Sequence, residues 1–125
     1  MLKYLLIGAL LAAGLAMFGF SGSAGNLVSY EELQGKLARR DEFVLLDVRT
    51  QEEFAQGHIA GALLLPYDEI DKKAPELLPD KAKPIIVYCR SGRRSAIAVK
   101  SLQKLEYQDV KDFGGISRWQ GSLER

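Results

Sequence analysis

Tyr4 to Phe20 runs for 17 residues without a charge, and nothing after it repeats that texture. From Gly25 onward, short apolar runs alternate with amphipathic stretches. Asn26 to Ser29 predicts a short first strand. Ser29 and Glu32 have capping-box spacing, and Leu33 and Leu37 then share one helical face. Phe43 to Asp47 is a continuous apolar run closed by an acid, typical of a strand buried on both faces. Thr50 and Glu53 repeat the capping-box spacing and predict a second, short helix. Gly61 to Pro66 predicts a third strand. Tyr67 to Leu78 predicts one or two helical turns interrupted by Pro75. Pro84 to Tyr88 is the strongest strand pattern in the chain. Ser95 to Leu105 predicts a helix with Ala98, Leu102 and Leu105 inward, and with Lys100 and Lys104 where the helix dipole favours cations. Val110 to Phe113 predicts a last strand, and Gly114 and Gly115 lead into a final helix around Ile116 to Gln120.

Strands alternating with helices imply right-handed crossovers and a parallel sheet covered on both faces, an α/β fold in three layers. Neither repeat nor linker interrupts the pattern, so residues 25–125 read as one domain. Residues 1–24 do not belong to that domain. Met1-Leu2-Lys3 is a short positive start, the uncharged run follows, and Gly22-Ser23-Ala24 fits a small-residue cleavage site before Gly25. This is the pattern of an export signal. The alternative is an uncleaved membrane anchor through residues 4–20, although 17 apolar residues fall short of the ~20 that a spanning helix usually needs. Export predicts a periplasmic or equivalent location.

Charge narrows the function classes. The whole chain carries a formal net charge of +1, and removing Lys3 with the leader leaves 16 basic against 16 acidic residues. A neutral domain lacks the bulk positive field of a nucleic-acid binder, so no nucleic-acid partner is expected. Positive charge is instead local. The stretch YCRSGRRS, Tyr88 to Ser95, surrounds the only cysteine with Arg90, Arg93 and Arg94.

That clustering gives Cys89 a chemical reading. In open parallel sheets the ligand site forms at the carboxyl ends of the strands. Cys89 directly follows the strongest strand, and Gly92 permits a tight turn into the next helix. Such a loop at a helix N-terminus aims backbone N–H groups inward as an anion cradle, and the arginines add charge. Both effects favour thiolate over thiol. The expected anion-binding residues are Arg90, Ser91, Gly92, Arg93 and Arg94 around the catalytic Cys89, with some of the arginines facing solvent. The alternative is an inert buried cysteine. Exported proteins usually pair their cysteines, and a lone one has no partner within the chain.

The same edge rule sorts the remaining candidates. Asp47 and Arg49 close the second strand on the active edge. Asp47 either supports the cradle or an arginine, or pairs structurally with Arg49, which is also placed to meet Glu53. His58 precedes the third strand and is therefore expected at the opposite edge, a strand length of about 17–20 Å away, as a structural loop histidine. Trp119 either walls the pocket or packs in the core.

These residues also resemble a known family. LLDVRTQEEFAQGHIAGALLLP, Leu45 to Pro66, is similar to the D-V-R, E-F, G-H-I and G-A region of rhodanese domains. YCRSGRRS resembles their active-site loop, and GGISRW their C-terminal segment. The resemblance covers nearly all of Val28 to Gln120. It implies a rhodanese-like fold with a five-stranded parallel sheet between helices. It further implies that Cys89 takes sulfur from a donor such as thiosulfate, becomes a persulfide, and passes the sulfur to cyanide or a thiol. Arg90 and Arg94 would draw in the anion. The partners are then small-molecule sulfur donors and acceptors, with a membrane only if the N-terminal segment is retained, and neither metal nor organic cofactor is called for.

Two other readings use the same residues. Cysteine phosphatases and arsenate reductases also hold a thiolate in an anion cradle, but the phosphatase pattern places arginine where this chain has Ser95. Arg94 comes after only four intervening residues, and the smaller loop suits sulfur better than a tetrahedral oxyanion. A persulfide carrier or binding module would keep Cys89 and load sulfur with little turnover.

Overall fold

The computed structural model describes residues 27–125. The expected export segment lies outside the described residues. Four strands form one parallel sheet: β1 (Val44–Asp47), β2 (Leu63–Leu64), β3 (Ile85–Cys89) and β4 (Val110–Gly115), in the order β2-β1-β3-β4. The helices are α1 (Tyr30–Arg39), α2 (Gln51–Gln56), α3 (Ile70–Leu77) and α4 (Arg93–Lys104), with single 3-10 turns at Tyr67–Glu69 and Ile116–Arg118. The expected α/β architecture with a parallel sheet between helices is therefore what the chain adopts.

Pleating of the central strand divides the core. All five residues of β3 are buried. Ile85, Val87 and Cys89 join Leu46, Ala74, Ala98 and Leu102 on one face, so this layer is built from α3 and α4. Ile86 and Tyr88 join Leu33, Leu45, Ile59 and Phe113 on the other, beneath α1. This two-residue alternation carries Cys89 to the α4 side and Tyr88 to the α1 side.

Local chemistry explains two of the helix starts. Ser29 caps α1 by accepting the Glu32 N–H at 3.0 Å, and Thr50 and Glu53 make a complete capping box on α2. Pro75 sits inside α3 without ending it. Its ring removes only the N–H that would reach the carbonyl of Asp71, an exposed residue that water can serve, while buried Ile70 and Ala74 anchor the helix to the sheet.

Three further elements depart from the sequence pattern. The expected five strands are four among the described residues. The first is reduced to one parallel bridge, Leu27 with Asp112, supported by the Val28 N–H donating to the Asp112 carbonyl at 2.9 Å. The third strand, expected over Gly61 to Pro66, is only β2 and pairs with the last two residues of β1. The final helix is a single 3-10 turn, because Trp119 is already extended at φ −78°, ψ 126°.

Two glycines shape the far side of β3. The register slips between Val87, opposite Asp112, and Tyr88, opposite Gly114, so Phe113 forms a bulge. Gly114 adopts φ 89°, a left-handed conformation that favours glycine, and its N–H is held by the Asp112 carboxylate at 2.8 Å. The bulge brings Gly115 directly opposite Cys89.

Candidate active site

The carboxyl edge of β3 passes into α4 through three residues, Arg90, Ser91 and Gly92. Gly92 has φ 105° and caps the helix in a left-handed conformation. This turn points its N–H back at Cys89, and the Sγ accepts it at 2.9 Å. The N–H groups of Arg93, Arg94 and Ser95 open α4, and no carbonyl one turn earlier is placed to receive them. The Ser95 hydroxyl is buried and donates to the Gly92 carbonyl at 3.0 Å, which ties the loop to the first turn. Cys89 itself has no exposed surface. The sulfur is thus both buried, as the bland reading required, and seated at the mouth of a helix, as the chemical reading required.

Close packing from β4 fixes the same loop. A methyl group on Gly115 would lie 2.7 Å from the Arg90 carbonyl oxygen, closer than real carbon contacts come. The glycine pair therefore has a second purpose beyond entering a final turn: it lets the loop settle against the sheet.

The three arginines of the loop have different fates. Arg94 grips Glu53 with both arms of its guanidinium, at 2.8 and 2.9 Å. Glu53 also accepts from the Thr50 N–H at 3.0 Å and from its hydroxyl at 3.1 Å. The Arg94 bonds, helped by Thr50 and opposed by partial burial, pull the Glu53 carboxyl from its ordinary 4.5 down to about 2. Glu53 in turn holds Arg94 charged, and the nearby Cys89 and Tyr67 add to that effect. Arg93 lies over the Tyr67 ring, 5.9 Å from its centroid. Arg90 is exposed and makes no ion pair among the described residues. It borders a pocket of about 310 Å³ with Arg49, Glu53, Gly57, Ile116 and Leu123.

Asp47 and Arg49 form the structural pair. Asp47 is fully buried and accepts from the Arg49 backbone N–H, from Nε at 3.0 and 3.1 Å, and from Nη2 at 2.7 Å. The same Nη2 donates to the Gly57 carbonyl at 2.7 Å. Burial opposes the Arg49 charge more than any other single influence, yet the bonds and charge of Asp47, with Tyr88 and Glu53, together raise its pKa. Burial, with the neighbouring Asp47 charge, raises the Tyr88 hydroxyl well above the usual tyrosine range, so it stays protonated and accepts the Ile59 N–H at 3.1 Å. Neither Asp47 nor Arg49 bonds the Cys89 loop, and the carboxylate expected beside Arg49, Glu53, is committed to Arg94.

His58 corrects the edge argument. Its neighbour Gly57 is bonded to Arg49 and borders the same pocket as Arg90, so this loop lies at the active edge and not a strand length away. The reason is that β2 has only two residues and pairs only with the end of β1. The structural role still holds. His58 stacks on Phe54 with centroids 3.7 Å apart, donates from Nδ1 to the Phe54 carbonyl at 2.8 Å, and exchanges two backbone bonds with Glu124. Trp119 packs edge-on against Tyr30 beside the α1-side core. Among the described residues no three His, Cys, Asp or Glu side chains converge as a metal site. Sequence reasoning missed Glu53 as the partner of Arg94, since 41 positions separate them and its capping role accounts for the residue on its own.

The model of the rhodanese-like domain matches residues 29–122. A sulfurtransferase of Allochromatium vinosum is 38% identical over 95 residues, which cover 75% of this chain and 87% of that protein. The thiosulfate sulfurtransferase PspE of Escherichia coli is 35% identical, covering 57% of this chain and 68% of PspE. The putative sulfur carrier protein YrkF of Bacillus subtilis is 33% identical, covering 78% of this chain but 52% of its own length. Some relatives are far longer, and the chain spans 28% of one of them. A solved rhodanese with anions from E. coli superposes with a TM-score of 0.62 at 30% identity, covering 66% of this chain and 96% of that one.

Two outcomes follow from the ion pairs. Asp47→Ala leaves the Arg49 cation buried and unpaired, and should lower stability by about 3–5 kcal/mol in denaturant titration; a loss below about 1 kcal/mol would show that the pair is dispensable. Glu53 has a folded pKa below its ordinary value, so its contribution is complete above about pH 4.5 and is lost as pH falls toward about 2. The stability gap between wild type and Glu53→Gln should therefore narrow through that window, and a gap independent of pH would contradict the ion-pair assignment.

Proposed function

The chain belongs to the rhodanese-like domain family, whose relatives named sulfurtransferases support sulfur transfer in general, and on that premise we propose that it moves sulfane sulfur through a persulfide on Cys89. The observation that carries this reading is the Cys89 Sγ receiving the Gly92 N–H at the N-terminus of α4, with the unpaired Arg90 beside it. A helix N-terminus stabilises negative charge on sulfur and on an incoming anion alike.

Thiosulfate is the donor that fits this charge. The Cys89 thiolate attacks its outer sulfur, a new sulfur–sulfur bond forms to Sγ, and the old one breaks with its electron pair leaving on sulfite. The persulfide sulfur then sits against the loop N–H groups. An acceptor such as cyanide attacks that outer sulfur, the bond to Sγ breaks, thiocyanate departs and the thiolate returns. A thiol acceptor leaves as a persulfide by the same balance. Arg90, exposed next to Cys89 and outside any ion pair among the described residues, would draw in the donor, with Arg94 contributing charge from the first turn of α4. The resemblance to a putative sulfur carrier favours a second reading, in which Cys89 loads sulfur for a partner with little turnover.

Thiosulfate should add one sulfur atom to Cys89 by mass spectrometry, and cyanide should remove it. Cys89→Ser should abolish both steps, because a hydroxyl lacks comparable nucleophilicity at neutral pH. Arg90→Ala should slow loading more than discharge, since loading alone brings in the dianion. Repeated turnover supports the enzyme, and a halt near one equivalent supports the carrier. Mature protein that takes up no sulfur while Cys89 remains alkylatable would end both.

We further propose that the domain is exported, through a signal in residues 1–24, to the periplasm or an equivalent space, on the strength of the uncharged run and the small residues before Gly25. Protein from the native host should begin near Gly25 by mass spectrometry. Membrane-bound protein that retains Lys3 would instead establish the anchor.

A further inference from the structure

Four arginines lie around the site, but their charges are unequally free. Arg49 is taken by Asp47, and Arg94 by Glu53. Arg93 lies over the Tyr67 ring, outside the pocket of about 310 Å³, and keeps its charge. Arg90 alone brings an unpaired cation to the pocket that Glu53 also borders. Glu53 cannot readily swing aside for an incoming anion, because the same carboxylate closes the capping box with the Thr50 N–H and hydroxyl. Its side chain and that of Arg94 are only 22% and 18% exposed, so their attraction is poorly screened. Arg94 leaves the first turn of α4, the helix whose N-terminal loop binds the Cys89 sulfur, so what occupies Arg94 alters the field where an anionic donor must arrive.

We propose that Glu53 is a specificity-determining residue: by occupying Arg94 it withholds one of the three loop arginines from an incoming anion, and so limits affinity for dianions relative to monoanions. The identity of the donor rests on the sulfurtransferase reading, whereas the charge balance does not. Gln serves the capping-box position as Glu does, so Glu53→Gln keeps the contacts to Thr50 while releasing the Arg94 charge.

The experiment compares wild type with Glu53→Gln, using thiosulfate as a dianionic donor and methanethiosulfonate as a monoanionic one. The KM for thiosulfate should fall by about threefold to fivefold, the scale of one partly exposed charge pair. The KM for methanethiosulfonate should fall less, and the thiosulfate reaction should become more sensitive to salt. Adding Arg94→Gln to Glu53→Gln should return KM toward or above the wild-type value, an outcome that a merely structural role for Glu53 does not produce. Binding of inorganic sulfate, measured by calorimetry on Cys89→Ala with and without Glu53→Gln, supplies a readout that needs no sulfur transfer, and it should tighten by a similar factor. An unchanged or weaker sulfate affinity, or equal KM shifts for the two donors, would overturn the inference. Tighter sulfate binding in a protein that loads no sulfur would uphold the charge assignment and sink the sulfurtransferase reading alone.

Discussion

One hydrogen bond, from the Gly92 N–H to the Cys89 sulfur, organises the carboxyl edge of this sheet. It requires the left-handed turn at Gly92, which a side chain would strain. That turn in turn aligns the first N–H groups of α4 with the end of β3. The loop has room to do this only because Gly115, opposite Cys89, carries no side chain against the Arg90 carbonyl. Two glycines from distant parts of the chain thus serve one sulfur. Burial of the whole of β3 supplies the rigidity, since every residue of that strand is packed on both faces.

Electrostatics are layered in the same direction. The deepest pair, Asp47 with Arg49, lies on the α1 side beneath Tyr88 and bonds the Gly57 carbonyl, so it fixes the loop after α2 and makes no bond to the cysteine loop. Glu53 with Arg94 lies nearer the surface and joins α2 to α4. Arg90 is exposed and in no ion pair among the described residues. Charges become freer toward solvent, where an incoming anion first meets the protein. Desolvation explains this order: a buried cation without a partner costs several kcal/mol, whereas an exposed one costs little.

Much of this was legible in the sequence. The apolar run Pro84 to Tyr88 and the paired capping signals located β3, α1 and α2, because those cues depend on nearest neighbours. Cys89 with Gly92 marked the candidate site, since a strand, a glycine and a helix start fix where the carboxyl edge lies. What failed were inferences about reach. His58 was assigned to the far edge on the assumption of a full-length strand, and β2 has two residues. Arg94 and Arg93 read as loop cations, but α4 begins two residues earlier than its apolar pattern, so both leave from the first helical turn. Such contacts are long-range, and no local periodicity encodes them.

Glu53 illustrates why one residue can hide a second role behind a first. Its spacing from Thr50 fully accounts for an acid at that position, so the sequence gives no reason to look further. Yet the geometry that satisfies the cap also fixes the carboxylate, and a fixed carboxylate is a better partner for the planar fork of Arg94 than a mobile one. The capping box therefore does more than start α2. It presents a preset negative charge to the helix that follows Cys89, and among the described residues the loop meets anions with two cations outside ion pairs, Arg90 and Arg93, where its sequence suggests three.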